Sequence, residues 1–187
     1  GEYSSVIFLN YSSAEVKDKN NNLVIEDIKT ILYETKPKIV YTHNLCDKHD
    51  THVAVVLKVI QAMRELPKEV LPEKVYGCEV WRGLDWLPDK DKIVFDVSQH
   101  ENLAFALLGV FDSQICGGKR YDLATIGRWR ANATYFESHG VDIATLMIYA
   151  MDLTPLIIDV KKDISDFVSK HIDQFKQEVI ARIEKLK

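Results

Sequence analysis

The residues of this chain best suited to chemistry crowd into ten positions. His43-Asn44-Leu45-Cys46-Asp47-Lys48-His49-Asp50-Thr51-His52 carries three imidazoles and two carboxylates. Imidazole titrates near neutral pH without perturbation, and its neutral form is a common metal ligand, so this density points to metal binding or proton transfer. His49-x-x-His52, beside Asp47 and just ahead of an apolar run, is the sharpest part of the pattern. Plainer roles compete for the same residues. Asp50 or Thr51 can cap the following helix through a side-chain oxygen, and His43 can simply hydrogen-bond the loop. A closed zinc site made of His43, Cys46, His49 and His52 matches no familiar ligand spacing. Trp81 and Trp86, with Arg82 between them, offer faces that suit a sugar ring, but capping a core is the commoner use of such residues. His100 and His171 read as structural, and Cys78 and Cys116 as small buried hydrophobes.

These side chains need a scaffold, and the surrounding pattern supplies one. Ile39-Val40-Tyr41 is short, β-branched and aromatic without alternation, which predicts a parallel strand covered on both faces. The histidine-rich loop leaves its carboxyl end, and His52 to Leu66 continues as an apolar helix that stops before Pro67. Open α/β sheets bind ligands beyond the carboxyl ends of their strands, so the loop lies where such a fold keeps its site. Upstream, Ser5 to Leu9 predicts a short strand and Lys17 to Asn22 a polar turn. Val24, Ile28, Ile31 and Leu32 predict a helix over Leu23 to Thr35, closed by Pro37. Downstream, Lys74 to Trp81 and Lys92 to Val97 predict strands separated by a loop from Trp81 to Pro88. Helices are predicted over Leu103 to Phe111 and, after Gly117-Gly118, over Asp122 to Ser138. Ile164, Val168, Ile172, Phe175, Val179, Ile183 and Leu186 recur by threes and fours, the stripe of an amphipathic helix over Asp163 to Lys187. No element is assigned between residues 139 and 162. The alternation of types predicts an α/β fold.

Composition narrows the partners. The 187 residues are 47% hydrophobic, enough for a core, with 24 Lys and Arg against 28 Asp and Glu and a formal charge of -4. No basic cluster interleaved with aromatics invites nucleic acid. Three widely spaced cysteines fit reduced thiols in a cytoplasmic protein, and no apolar run reaches the roughly 18 residues of a membrane span. The chain opens Gly1-Glu2-Tyr3 with its first methionine at Met63, so a preceding segment is expected.

Lys36-Pro37-Lys38-Ile39-Val40-Tyr41-Thr42-His43-Asn44 followed by Asp47-Lys48-His49-Asp50-Thr51-His52 resembles the second signature of the PIG-L (LmbE-like) zinc-dependent deacetylases. Phe95-Asp96-Val97-Ser98, then Ala106-Leu107 and Ser113-Gln114, are similar to a later block of that family, and Arg128 to Glu137 to another late segment of it. The resemblance implies a Rossmann-like fold and hydrolysis of N-acetyl groups on N-acetylglucosamine-type sugars. It implies that His52 is a zinc ligand and His49 the electrophile or general acid. Asp47 would orient His49 or bind sugar hydroxyls, and His43 and Asn44 would contact substrate. Asp50-Thr51 replaces the family's Pro-Asp. The family's first motif, His-Pro-Asp-Asp, supplies two more zinc ligands and the base, and is absent from this sequence. Residues 1 to 160 are therefore expected to be the carboxyl-terminal portion of one deacetylase domain, inactive without the amino-terminal motif. Residues 161 to 187 would pack on that domain or on a partner, and a second copy or a companion amino-terminal fragment is expected to cover the exposed sheet edge. The alternative from another class is a non-catalytic sugar- or partner-binding module built on the same fold.

Overall fold

The computed structural model describes residues 3–136 and 139–187. They form two compact units, one of residues 8–92 and 150–187, the other of the remaining described residues. The first unit carries the histidine-rich loop. Ser13–Lys17 (α1) opens on Ser12, whose hydroxyl and Glu15 form a reciprocal cap. Leu23–Thr35 (α2) has the predicted limits and buries Val24, Ile25 and Leu32. Lys36 turns the chain in a left-handed conformation, φ 43°. Ile39–His43 (β1) follows, then Asp50–Arg64 (α3) and Lys74–Cys78 (β2). β1 and β2 run parallel with His43 opposite Cys78, so these three elements make one βαβ unit.

Met147–Asp152 (β4) supplies the next strand. Its residues 150–152 pair antiparallel with β2, Ala150 opposite Cys78 and Asp152 opposite Tyr76. With Lys92–Asp96 (β3), the sheet has the order β1-β2-β4-β3 and is mixed rather than all parallel. β1 lies at its edge with Ile39 and Tyr41 exposed, so the expectation of a strand covered on both faces does not hold. The core of this unit is built from α3 (Val56, Ile60, Ala62, Met63), from Val75 of β2, and from Met151, Leu153, Leu156 and Ile157. Arg64, at the end of α3, donates to the carbonyls of Leu156 (2.7 Å) and Lys162 (2.6 Å). Those bonds anchor the segment that includes Pro155–Ile158 (α6) and leads to Ile164–Leu186 (α7). Asp163 caps α7 by accepting from the Asp166 N–H. His171, read as structural, lies on α7 with Nδ1 3.8 Å from Asp91 Oδ2.

The second unit contains most of β3, Glu101–Gly109 (α4) and Tyr121–Tyr135 (α5). Asn132 on α5 donates to the Met147 carbonyl, and Tyr149 donates to the Asn132 carbonyl at 2.6 Å. Ser98 bonds the Thr145 and Leu146 backbones, closing the start of α4 onto the entry to β4.

Several expectations need correction. Residues 5–9 form no strand, and Val6, Ile7 and Phe8 are exposed. β4 and the short α1 and α6 were not anticipated. The helix predicted over Asp122 to Ser138 ends at Tyr135, and Ser138 and Glu137 lie outside the described residues. Cys116 is exposed, its Sγ 3.0 Å from Asp112 Oδ1, rather than a buried hydrophobe. Among the described residues no helix is long and apolar enough to cross a membrane.

Candidate metal centre

The loop between β1 and α3 is locked by its own side chains. Asn44 Oδ1 accepts the Cys46 N–H at 2.9 Å, and Asp47 Oδ1 accepts the His49 N–H at 2.9 Å, two successive turns of the kind Asn and Asp favour. Asn44 is fully buried. Its amide donates to the Gly77 carbonyl of β2 at 3.2 Å and touches Met151 Sδ. Its role in this geometry is to tie the loop to the sheet, and it presents no surface to a substrate. The Cβ that any other residue would carry at position 77 would sit 3.2 Å from the Asn44 amide and 2.8 Å from Leu153 Cδ1. The sequence puts glycine at the point where the loop side chain must approach the strand.

The locked loop brings His43, the last residue of β1, against His52 in the first turn of α3. Their rings stack with centroids 4.0 Å apart and planes 2° from parallel. Asp47 lies beside them with a side chain only 2% exposed, its Oδ2 3.1 Å from His52 Nδ1. That nitrogen is buried, yet it has no hydrogen bond of acceptable geometry. One ligand atom each from His43, Asp47 and His52 lie within 4.8 Å of one another, the one such group of three among the described residues. Ligand atoms around a tetrahedral ion at bond lengths of ~2.1 Å stand roughly 3.4 Å apart, so the group can admit an ion that all three reach. Two imidazoles and a carboxylate are a donor set that suits zinc and similar divalent ions. Burial, reinforced by the neighbouring His52, lowers the pKa of His43 and favours its neutral form, while Asp47 opposes the shift.

His49 and Cys46 stay outside this group. His49 is exposed at the N-cap position of α3, with no side-chain capping bond. Neither Asp50 nor Thr51 is the cap: Asp50 begins the helix, and Thr51 Oγ1 pairs with Ser13 Oγ at 2.6 Å. The His49 ring lies 5.2 Å from that of His52 and edge-on to Trp81 at 4.7 Å. Lys48 Nζ sits 5.7 Å from the same indole. Trp81 thus packs on the loop. Burial pushes the Cys46 thiol up to about 11. The closed four-ligand site is not assembled, since neither Cys46 nor His49 contributes a ligand atom to the group.

Sequence reasoning missed Glu79, one residue beyond β2. Its side chain is fully buried, Oε2 accepts the Leu84 N–H at 3.2 Å, and Oε1 lies 3.8 Å from Arg82 Nε without a hydrogen bond. Burial raises its pKa, with the Leu84 N–H and Trp86 opposing. The available signal was one acidic residue within an otherwise apolar run, Tyr76-Gly77-Cys78-Glu79-Val80-Trp81. Against known proteins, the chain matches no family model and no curated sequence.

Proposed function

We propose that this chain binds a divalent cation, zinc by preference, and takes part in the hydrolysis of an N-acetyl amide on an amino sugar. The observation that carries the reading is the buried His52 Nδ1, 3.1 Å from Asp47 Oδ2, unspent on any hydrogen bond and grouped with a ligand atom of His43. Three protein ligands with an open position are what a catalytic zinc uses, whereas structural sites take four. His43, Asp47 and His52 would hold the ion, so the two ligands expected from a preceding segment have counterparts within this loop. When bound, such an ion supplies Lewis acidity toward an amide carbonyl and lowers the pKa of water.

The remaining steps fall to the chain itself. His49, exposed at the rim and braced by Trp81, can hold a proton on a ring nitrogen and deliver it to the departing amine. The Asp47 bond to the His49 N–H fixes the backbone on which that ring sits. The β1-α3-β2 unit, with its loop at the carboxyl ends of two parallel strands, supports a Rossmann-like arrangement around the site. Acetate release from N-acetylglucosamine, measured with zinc and after chelation, tests the reading. Metal-dependent release supports it, and release indifferent to chelation and to His52→Ala contradicts it.

A further inference from the structure

Beside the ion-competent group lies a cavity of about 740 Å³ walled by Cys46, Asp47, Arg82, Trp86, Ile172 and Phe175. That volume falls in the range of small-molecule sites, roughly 300–1,000 Å³. Its lining sets an apolar wall against one cation, with Cys46 and two acidic residues beside them. Ile172 and Phe175, three residues apart on α7, share a helix face and leave much of their surface uncovered. Trp86 stands with them.

The cation is Arg82. Its side chain is more than half exposed, and the carboxylate it pairs with, Glu79, is fully buried with the pair 3.8 Å apart, beyond hydrogen-bond reach. A planar guanidinium with unspent N–H donors is suited to a carboxylate, which it can grip with two parallel bonds. Two acidic side chains share the lining, but Asp47 is turned into the loop and Asp85 is engaged already.

We propose that this cavity binds an amphipathic anion, with an aromatic or branched aliphatic body against Trp86, Ile172 and Phe175 and a carboxylate on Arg82. Neither contact calls on the ion, so the site stands or falls apart from the metal reading.

The test uses the full chain, stripped of metal, titrated by NMR with three probes that share one ring system: indole-3-propionate, tryptamine and 3-methylindole. The anion should bind at least about tenfold tighter than the cation or the neutral ring, shifting the amides of Arg82, Trp86, Ile172 and Phe175. Arg82→Gln should erase the advantage of indole-3-propionate over 3-methylindole without changing the affinity for the latter. Phe175→Ala, on a solvent-facing helix surface, should weaken all three. Equal binding of the probes, a preference for tryptamine, shifts confined to other surfaces, no binding at millimolar concentration, or unchanged affinities in the variants overturns the proposal.

Discussion

The imidazoles of His43 and His52 lie parallel, 4.0 Å between centroids, although one ends β1 and the other belongs to the first turn of α3. Two such rings beside a nearly buried carboxylate gain little by way of hydrogen bonds, since His52 Nδ1 has none. A cation shared by the three residues, as proposed above, would use all three donors at once.

The proposed function gives Asp47 a second job beside its bond to the His49 N–H, and Asp47→Asn splits the two. The amide oxygen can still accept the His49 N–H, so the loop should hold and Tm should move by no more than about 4 °C, or about 1 kcal/mol in a chain this size. Zinc affinity should fall by roughly 100-fold, at the upper end of what even indirect metal contacts cost. Calorimetric Tm and a zinc titration on one preparation check both halves.

His49→Gln should leave zinc affinity within about threefold, since its ring is outside the ligand group, while acetate release drops by roughly 10²–10⁴, the usual contribution of a positioned proton donor. Parallel loss of metal would move His49 into the ligand set.

The helices were largely legible in the sequence. Val24, Ile28, Ile31 and Leu32 mark one face of α2, and Pro37 limits it, so pattern and punctuation agree. The stripe from Ile164 to Leu186 works in the same way for α7. Strands with fewer residues needed a partner to be recognised. The apolar run at residues 5–9 has the composition of a strand but no ladder, whereas Met147–Asp152 pairs with β2 and was passed over. At the site, spacing points to His52 and to the loop, and it joins His43 to His52 only in a four-ligand site that also takes Cys46 and His49 rather than Asp47. The observed grouping follows from the strand's direction and from the Asn44 anchor, which holds a buried amide on Gly77, and neither is written in local spacing.

Asn44 and Gly77 should behave as one unit. Asn44→Ala leaves the buried Gly77 carbonyl and the Cys46 N–H without that partner and should cost about 1–3 kcal/mol, or roughly 3–10 °C in Tm. Gly77→Ala forces a methyl toward Leu153 and the Asn44 amide and should cost about 1–3 kcal/mol by overpacking. The double variant should lose clearly less than the sum of the two, and full additivity in urea titrations would separate the residues.

The packing of α7 should be sensitive to acid through His171. Burial holds its folded pKa below the ordinary value of 6.5, with Lys170 in the same direction and Asp91 opposing. The unfolded chain then binds the extra proton first. Stability is complete above about pH 6.5 and declines as pH falls from there toward the folded pKa. His43 is lowered in the same sense, so the difference between wild type and His171→Gln isolates the contribution of α7. The variant should show a shallower loss of Tm between pH 7 and pH 5, and superimposable profiles would remove His171 from the account.

Zinc titrated into the chelator-stripped chain by isothermal calorimetry tests whether His43, Asp47 and His52, from the end of β1 to the start of α3, hold one ion together. The expected result is one equivalent bound, with His43→Ala and His52→Ala each weakening Kd by at least about 100-fold while far-ultraviolet circular dichroism stays unchanged. Binding that survives intact in either variant, or no binding by the parent chain, would contradict it.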